Sequence, residues 1–222
     1  YSIIGGADAA KFTIDASTGA LSFVSAPDFE NKQDAGSNNV YDVTVQVSDG
    51  LGGTDTQAIA VTVTNVNEAP VITSNGSGTT AAVNVAENST AVTTVTSTDV
   101  DASATATYSI VGGADAAKFT IDASTAALSF KTGPNYESPT DDGANNVYDV
   151  KVQVSDGSLT DTQDIAITVT NVNEAPVISS NGSGTTAAVN VAENSSAVTT
   201  VTSTDVDAGA TATYSIVGGA DA

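Results

Sequence analysis

Two short segments of this chain, Asn65-Val-Asn-Glu-Ala-Pro70 and Asn171-Val-Asn-Glu-Ala-Pro176, are identical, and each follows an apolar stretch and ends on a proline. Other acids recur at matching places: Glu87-Asn88, Asp99-Val-Asp101, Asp28-Phe-Glu30 with its counterpart Asn135-Tyr-Glu137, and Asp156. Carboxylate and amide oxygens are what hard divalent cations take as ligands, about six to eight of them for calcium. Taken singly, each acid has a plainer reading. Asp49-Gly50 and Asp156-Gly157 are turn signals, and a strongly acidic surface is often no more than a solvated face.

Other chemistry finds little support. The chain has no His, Cys, Met, Trp or Arg. The usual general base, thiol nucleophile and oxyanion clamp are therefore missing, and paired carboxylates are the one remaining route to catalysis. Gly5-Gly6 and Gly112-Gly113 precede no Gly-Lys-Ser/Thr helix start, so they do not read as phosphate cradles. With 26 acids against five lysines the formal net charge is -21, which disfavours nucleic acid as a partner. We find no apolar run near 18 residues and no charged-then-apolar leader at Tyr1, so neither membrane insertion nor a signal peptide is expected. An enzyme is not expected.

The elements that must position these acids repeat. Tyr1-Ser-Ile-Ile-Gly-Gly-Ala-Asp-Ala9 returns at Tyr108 to Ala116 and at Tyr214 to Ala222, 107 and then 106 residues on. The lost residue falls between Asp49 and Asp55, a stretch one residue longer than Asp156 to Asp161; loops absorb such changes. Tyr41, Val43, Val45 and Val47 alternate with polar residues, as do Tyr148 to Val154, and Ile59, Val61 and Val63 are matched by Ile165, Ile167 and Val169. Period-2 alternation of this kind marks half-buried strands. Phe12 and Ile14, Leu21 and Phe23, Val83 to Val85, Val92 to Val95 and Thr105 to Ile110 add further short strands. About seven strands per unit predict an all-β, antiparallel β-sandwich, repeated end to end every 106 residues or so. Ala126 replaces Gly19 at one hairpin, which predicts a turn without positive φ there. Pro70 and Pro176 end strands and begin new units. The predicted organisation is the later part of one repeat in 1–70, a complete repeat in 71–176 and the earlier part of a third in 177–222. The chain reads as a window cut from a tandem array.

The ordered set AENS (Ala86 to Ser89), TDVDA (Thr98 to Ala102), TYSIVGG (Thr107 to Gly113), KFTIDASTGALSF (Lys11 to Phe23), PDFE (Pro27 to Glu30), YDVTVQVSDG (Tyr41 to Gly50) and VTVTNVNEAP (Val61 to Pro70) resembles the cadherin-type repeat, in its bacterial form. The resemblance implies calcium at the joint between successive repeats. Carried over by position, the first joint would use Asp28, Glu30, Asn67, Glu68, Asp99, Asp101 and Asp156. The second would use Glu87, Glu137, Asn173, Glu174, Asp205 and Asp207. By the same logic Asp49 and Glu193 would serve further joints. Asn65 and Asn171 stand where the family usually has an acid, and Asn135 replaces Asp28, which predicts weaker binding or fewer ions. Two carboxylates about 5 Å apart repel by roughly 3 kcal/mol at an effective dielectric near 20. Several converging on one joint therefore call for a cation.

Three functions fit this reading, all extracellular or at the cell surface. The first is a structural spacer or stalk of calcium-stiffened repeats in a large secreted bacterial adhesin or biofilm matrix protein, whose partners are the neighbouring repeats. The second is a subunit or window of an extracellular filament assembled end to end. Residues 177–222 carry early strands that 1–70 lacks, so one copy could complete another by strand addition. The third is a glycan- or protein-binding adhesive module, a poor fit to an aromatic content of 5% spent at core-type positions.

Overall fold

The computed structural model describes residues 1–102 and 104–219. Ala220 to Ala222, the last three residues of the expected third repeat, lie outside the described residues. The first segment forms β1 (Ser2–Gly5), β2 (Phe12–Ile14), β3 (Leu21–Phe23), β4 (Val40–Ser48) and β5 (Thr54–Thr62). The middle segment forms β6 (Val71–Ile72), β7 (Thr80–Ala86), β8 (Ala91–Thr94), β9 (Ser97–Thr98), β10 (Thr107–Gly112), β11 (Phe119–Ile121), β12 (Ala127–Phe130), β13 (Val147–Ser155) and β14 (Thr160–Thr170). The last segment holds β15 (Val177–Ile178) and β16 (Ser203–Thr204). Single 3-10 turns at Ala9–Lys11 and Ala116–Lys118 interrupt the β structure. The fold is an all-β, cadherin/Ig-like sandwich.

Two compact units are present. One comprises Tyr1–Val71, Thr98–Ala106 and Ser155–Thr160, and the other Ile72–Ser97, Thr107–Val154 and Asp161–Ala222. In the first unit a sheet of order β1-β4-β5 faces the β2-β3 hairpin. The β4–β5 register sets Tyr41 opposite Val61 and Val43 opposite Ile59, so the alternating apolar residues share one face. Phe12, Tyr41 and Val43 form its core, with Ile3, Leu21, Phe23, Ile59, Val61 and Val63 packed against them. Phe12 stacks on Phe23 at 4.6 Å, and Phe23 meets Tyr41 edge-on at 5.2 Å. Burying the aromatic trio supplies much of the apolar area of so small a unit.

The second unit is fuller. Its sheets have the orders β10-β13-β14-β7 and β11-β12-β8. β7 joins β14 in parallel over Asp164↔Thr80 to Thr170↔Ala86, so the sandwich is not antiparallel throughout as expected from sequence. Alternation fixes which face of a strand is buried and says nothing of its direction relative to a neighbour. Val150, Val152, Val154, Ile165, Ile167 and Val169 are all essentially buried.

Two loop features recur in both copies. Asp8, itself buried, accepts backbone N–H bonds from Ala35 (2.7 Å) and Asp42 (2.9 Å), and Asp115 does the same with Asp142 (2.9 Å) and Asp149 (3.0 Å). The chain reaches this geometry through Gly6 and Gly113, at φ 105° and 102°, where a Cβ would meet a strand carbonyl at 2.4 Å. The expectation for Ala126 is corrected: it adopts φ 59°, close to the 75° of Gly19. The turn is imposed from outside, because Asp122 Oδ1 accepts the amides of Ser124 (2.9 Å) and Thr125 (2.7 Å) and Ala126 N donates to Asp122 O (2.9 Å). These bonds offset the left-handed cost of about 1–2 kcal/mol.

Candidate metal centre

Each NVNEAP segment is gathered with carboxylates inside one unit. In the first unit, oxygens of Glu30, Glu68 and Asp101 lie within 4.8 Å of one another. Asp101 is held from three sides: Asn65 Nδ2 donates to Oδ1 (2.6 Å), Glu68 N to Oδ2 (2.9 Å), and its own N–H donates to Asp99 Oδ1 (2.9 Å). Asn67 Nδ2 donates to Asp156 Oδ2 at 2.7 Å and to Glu68 O at 3.1 Å. Asp156 Oδ1 meanwhile closes its turn on the amides of Ser158 and Leu159. Asp28 lies at the border of this cluster, its Oδ1 capping the amides of Glu30 and Asn31.

The second unit repeats the plan. Oxygens of Glu87, Glu137 and Glu174 lie within 4.8 Å of one another. Asp207 receives Asn171 Nδ2 (2.9 Å) and Glu174 N (2.8 Å) and donates its own N–H to Asp205 (3.0 Å), while Asn173 Nδ2 donates to Glu174 O (2.9 Å). Glu87 is 3% exposed and clamps two chain segments, Oε1 accepting Val172 N (2.8 Å) and Oε2 accepting Tyr136 N (3.0 Å). Asn135 caps Ser138 N (2.7 Å), the role its acidic counterpart Asp28 has in the first unit.

In each cluster one linker carboxyl is pushed toward its protonated form. Burial, then Glu30, Asp101 and Asp28, push the Glu68 carboxyl above its ordinary value. Burial, then Glu87, Glu137, Asp207 and Asp205, do the same to Glu174. Asp156 moves the other way, because the Asn67 side chain and the amides of Leu159 and Ser158 stabilise its charge. Asp99 Oδ2, Glu137 Oε2 and Glu174 Oε2 are buried without a hydrogen-bond partner. A buried, unpaired carboxylate oxygen costs free energy unless something positive meets it. This donor set of clustered carboxylates, linker amide groups and orphaned oxygens fits a hard divalent cation.

Sequence reasoning set Asn65 and Asn171 aside as weakened ligands. Here their amide N–H groups take up part of the charge of Asp101 and Asp207. The spacing from Asn65 to Asp101, repeated from Asn171 to Asp207, was the available signal. Asp49, expected to serve another joint, closes its own loop on the amides of Leu51 and Gly53.

Comparison with known proteins gives the chain its likeness. Residues 81–170 match the cadherin domain family. The chain is 31% identical over 189 residues to human Protocadherin Fat 1, an alignment covering 81% of this chain and 4% of that protein's length. Among solved structures, Drosophila N-cadherin EC1-4 aligns with a TM-score of 0.54 at 16% identity, covering 92% of this chain and 49% of that one. Mouse Cadherin-23 EC22-24 aligns with a TM-score of 0.51 at 22% identity, covering 77% and 52%. The expected bacterial form, and with it the spacer of a bacterial adhesin or biofilm matrix, is corrected by these matches, which are to human, fly and mouse cadherins. Acidic, cysteine-free composition speaks to solvation and ion binding and carries no information on source. Cadherin-fold domains are generally calcium-binding, non-catalytic adhesion modules. Among the described residues no helix is long and apolar enough to cross a membrane.

Proposed function

We propose that the chain is a tandem of cadherin-type repeats within a larger extracellular adhesion protein, with residues 71–176 as a complete repeat and 1–70 and 177–222 as parts of its neighbours. Each NVNEAP segment binds calcium. Glu30, Glu68, Asp99, Asp101, Asn67 and Asp156 would hold it in the first cluster, with Asp28 at its border, and Glu87, Glu137, Glu174, Asn173, Asp205 and Asp207 in the second. The observation that carries this reading is the pair of clusters, each centred on three carboxylates within 4.8 Å, with buried oxygens lacking partners. Bound calcium would supply the positive charge the clusters lack. The protein's part is positional: Asp101 and Asp207 fix the linker backbone through the amides of Glu68 and Glu174, and Glu87 ties the linker at Val172 to the loop at Tyr136. Cation binding to such an arrangement stabilises it by linkage. Calorimetric titration of the 222-residue chain with calcium tests the reading. Saturable binding is expected, reduced by Asp101→Asn in one cluster and by Asp207→Asn in the other; a flat titration overturns it.

A further inference from the structure

The two repeats diverge densely in one loop. Phe29-Glu-Asn-Lys-Gln-Asp-Ala-Gly-Ser-Asn-Asn39 corresponds to Tyr136-Glu-Ser-Pro-Thr-Asp-Asp-Gly-Ala-Asn-Asn146, and only Glu, Asp, Gly and the paired Asn stand at the same places in both. Most of these retained residues have a visible task. Glu30 and Glu137 belong to the three-carboxylate clusters. Asp34 and Asp141, both buried, each accept two successive amides: Asn38 (2.8 Å) and Asn39 (3.0 Å) in one copy, Asn145 (2.8 Å) and Asn146 (3.0 Å) in the other. Asn38 and Asn145 accept the amides of Val40 (3.0 Å) and Val147 (2.9 Å). Gly36 and Gly143 leave them room, since a Cβ there would lie 3.2 and 3.0 Å from their side chains.

The last Asn is different. Asn39 and Asn146 sit in the left-handed region, at φ 63° and 64°. Their Nδ2 groups donate to the carbonyls of Phe29 and Tyr136, both at 2.9 Å. Their own carbonyls accept the amides of Val63 (2.9 Å) and Val169 (2.8 Å). Each held side-chain acceptor belongs to the peptide that leads into Glu30 or Glu137, and each held amide lies two residues before Asn65 or Asn171. One residue thus joins the loop that presents a cluster carboxylate to the chain that enters the linker. In the second unit Glu87 grips the neighbouring peptide as well, through Tyr136 N–H (3.0 Å).

Stability alone does not account for the choice of Asn. Gly meets a left-handed φ most readily, and Oδ1 of both Asn39 and Asn146 is buried without a hydrogen-bond partner. An unmet buried acceptor costs at least what one neutral hydrogen bond brings. We propose that Asn39 and Asn146 are positioning residues for the two clusters, aiming Glu30 and Glu137 at the linker carboxylates Glu68 and Glu174; the proposal rests on the calcium reading above. Groups one step removed from a metal act in this way by orienting its ligands.

Asn146→Gly is the clean variant, because it keeps the φ and both backbone bonds and deletes only the tie to Tyr136. Amide NMR of the 222-residue chain reads both halves of the proposal. During calcium titration the amides of Glu68 and Glu174 report their own clusters. We expect Asn146→Gly to weaken binding at Glu174 about tenfold and to leave binding at Glu68 unchanged. In chelator the same variant should speed hydrogen exchange of the Tyr136 amide, a readout that needs no metal. Asn145→Ala, which removes the cap on Val147 alone, should do neither. Should Asn146→Gly not fold, Asn39→Gly provides the same comparison, with the loss at Glu68. Unchanged Tyr136 exchange, or an affinity loss no greater than that of Asn145→Ala, overturns the positioning role. A flat titration of the unsubstituted chain, with Tyr136 exchange still faster in Asn146→Gly, upholds the tie and overturns the calcium reading instead.

Discussion

At the scale of single residues, the side chains that matter are those whose charge is least comfortable. Glu174 holds its proton above the ordinary 4.5 because burial and then Glu87, Glu137, Asp207 and Asp205 oppose ionisation. A carboxyl raised in the folded state contributes stability that is fully present below the unfolded value and lost as pH rises through the folded one. In chelator, acidification from neutrality toward 4.5 should therefore strengthen the second unit through this group. Glu174→Gln should flatten that dependence and raise the melting temperature at neutral pH. In saturating calcium the sign reverses, since the same substitution removes a ligand charge. A variant that moves melting in the same direction in both media would show that Glu174 is no more than a strained surface acid. Asp156 runs opposite to Glu174, its contribution present above 3.8 and lost as pH falls through its lowered folded value.

At the scale of elements, β5 and β14 are one sequence pattern in two environments. Ile167 is 0% exposed between β13 and β7, while its counterpart Val61 is half-buried on an edge. Ile167→Ala should cost about 2–5 kcal/mol, as large-to-small core changes do. Val61→Ala in dilute protein should cost roughly 1 kcal/mol, in proportion to the smaller area covered. Amide exchange along β14 and β5 reads the two strands separately. Equal losses would mean that the edge is as well covered as the centre. These two strands also mark how far the amino-acid sequence is legible. The alternation of Tyr41 to Val47 and of Ile59 to Val63 located the strands and their buried face, and the ordered motifs located the acids. Three things lay beyond local pattern. The parallel entry of β7 is decided by the whole sandwich. The left-handed Ala126 is imposed by bonds to Asp122 that a Gly-to-Ala comparison does not reveal. The buried Asp8 and Asp115, which tie loop to strand, carry the same letter as the many solvated aspartates around them.

At the scale of the whole molecule, a net charge of -21 must be held together with five lysines. Among the described residues one ion pair is present, Lys151 to Asp164 at 3.1 Å, and both side chains are about half exposed. Such a pair adds little stability. Two remedies for the charge act at different ranges. Monovalent salt shortens the Debye length to about 8 Å near 0.15 M and weakens repulsion between distant surface charges. It does little for carboxylates within 4.8 Å of one another. A bound cation acts there, and at about 100 times its dissociation constant it stabilises by about 2.7 kcal/mol per site. In a unit of this size that corresponds to a rise of several degrees in melting temperature. Millimolar calcium should therefore raise the melting temperature well beyond sodium chloride of matched ionic strength. Magnesium, which demands tight octahedral geometry and gives up its water reluctantly, should fall between them. Should matched sodium chloride reproduce the whole calcium increment, the clusters would be screened rather than occupied, and calcium binding at the NVNEAP segments would have to be abandoned.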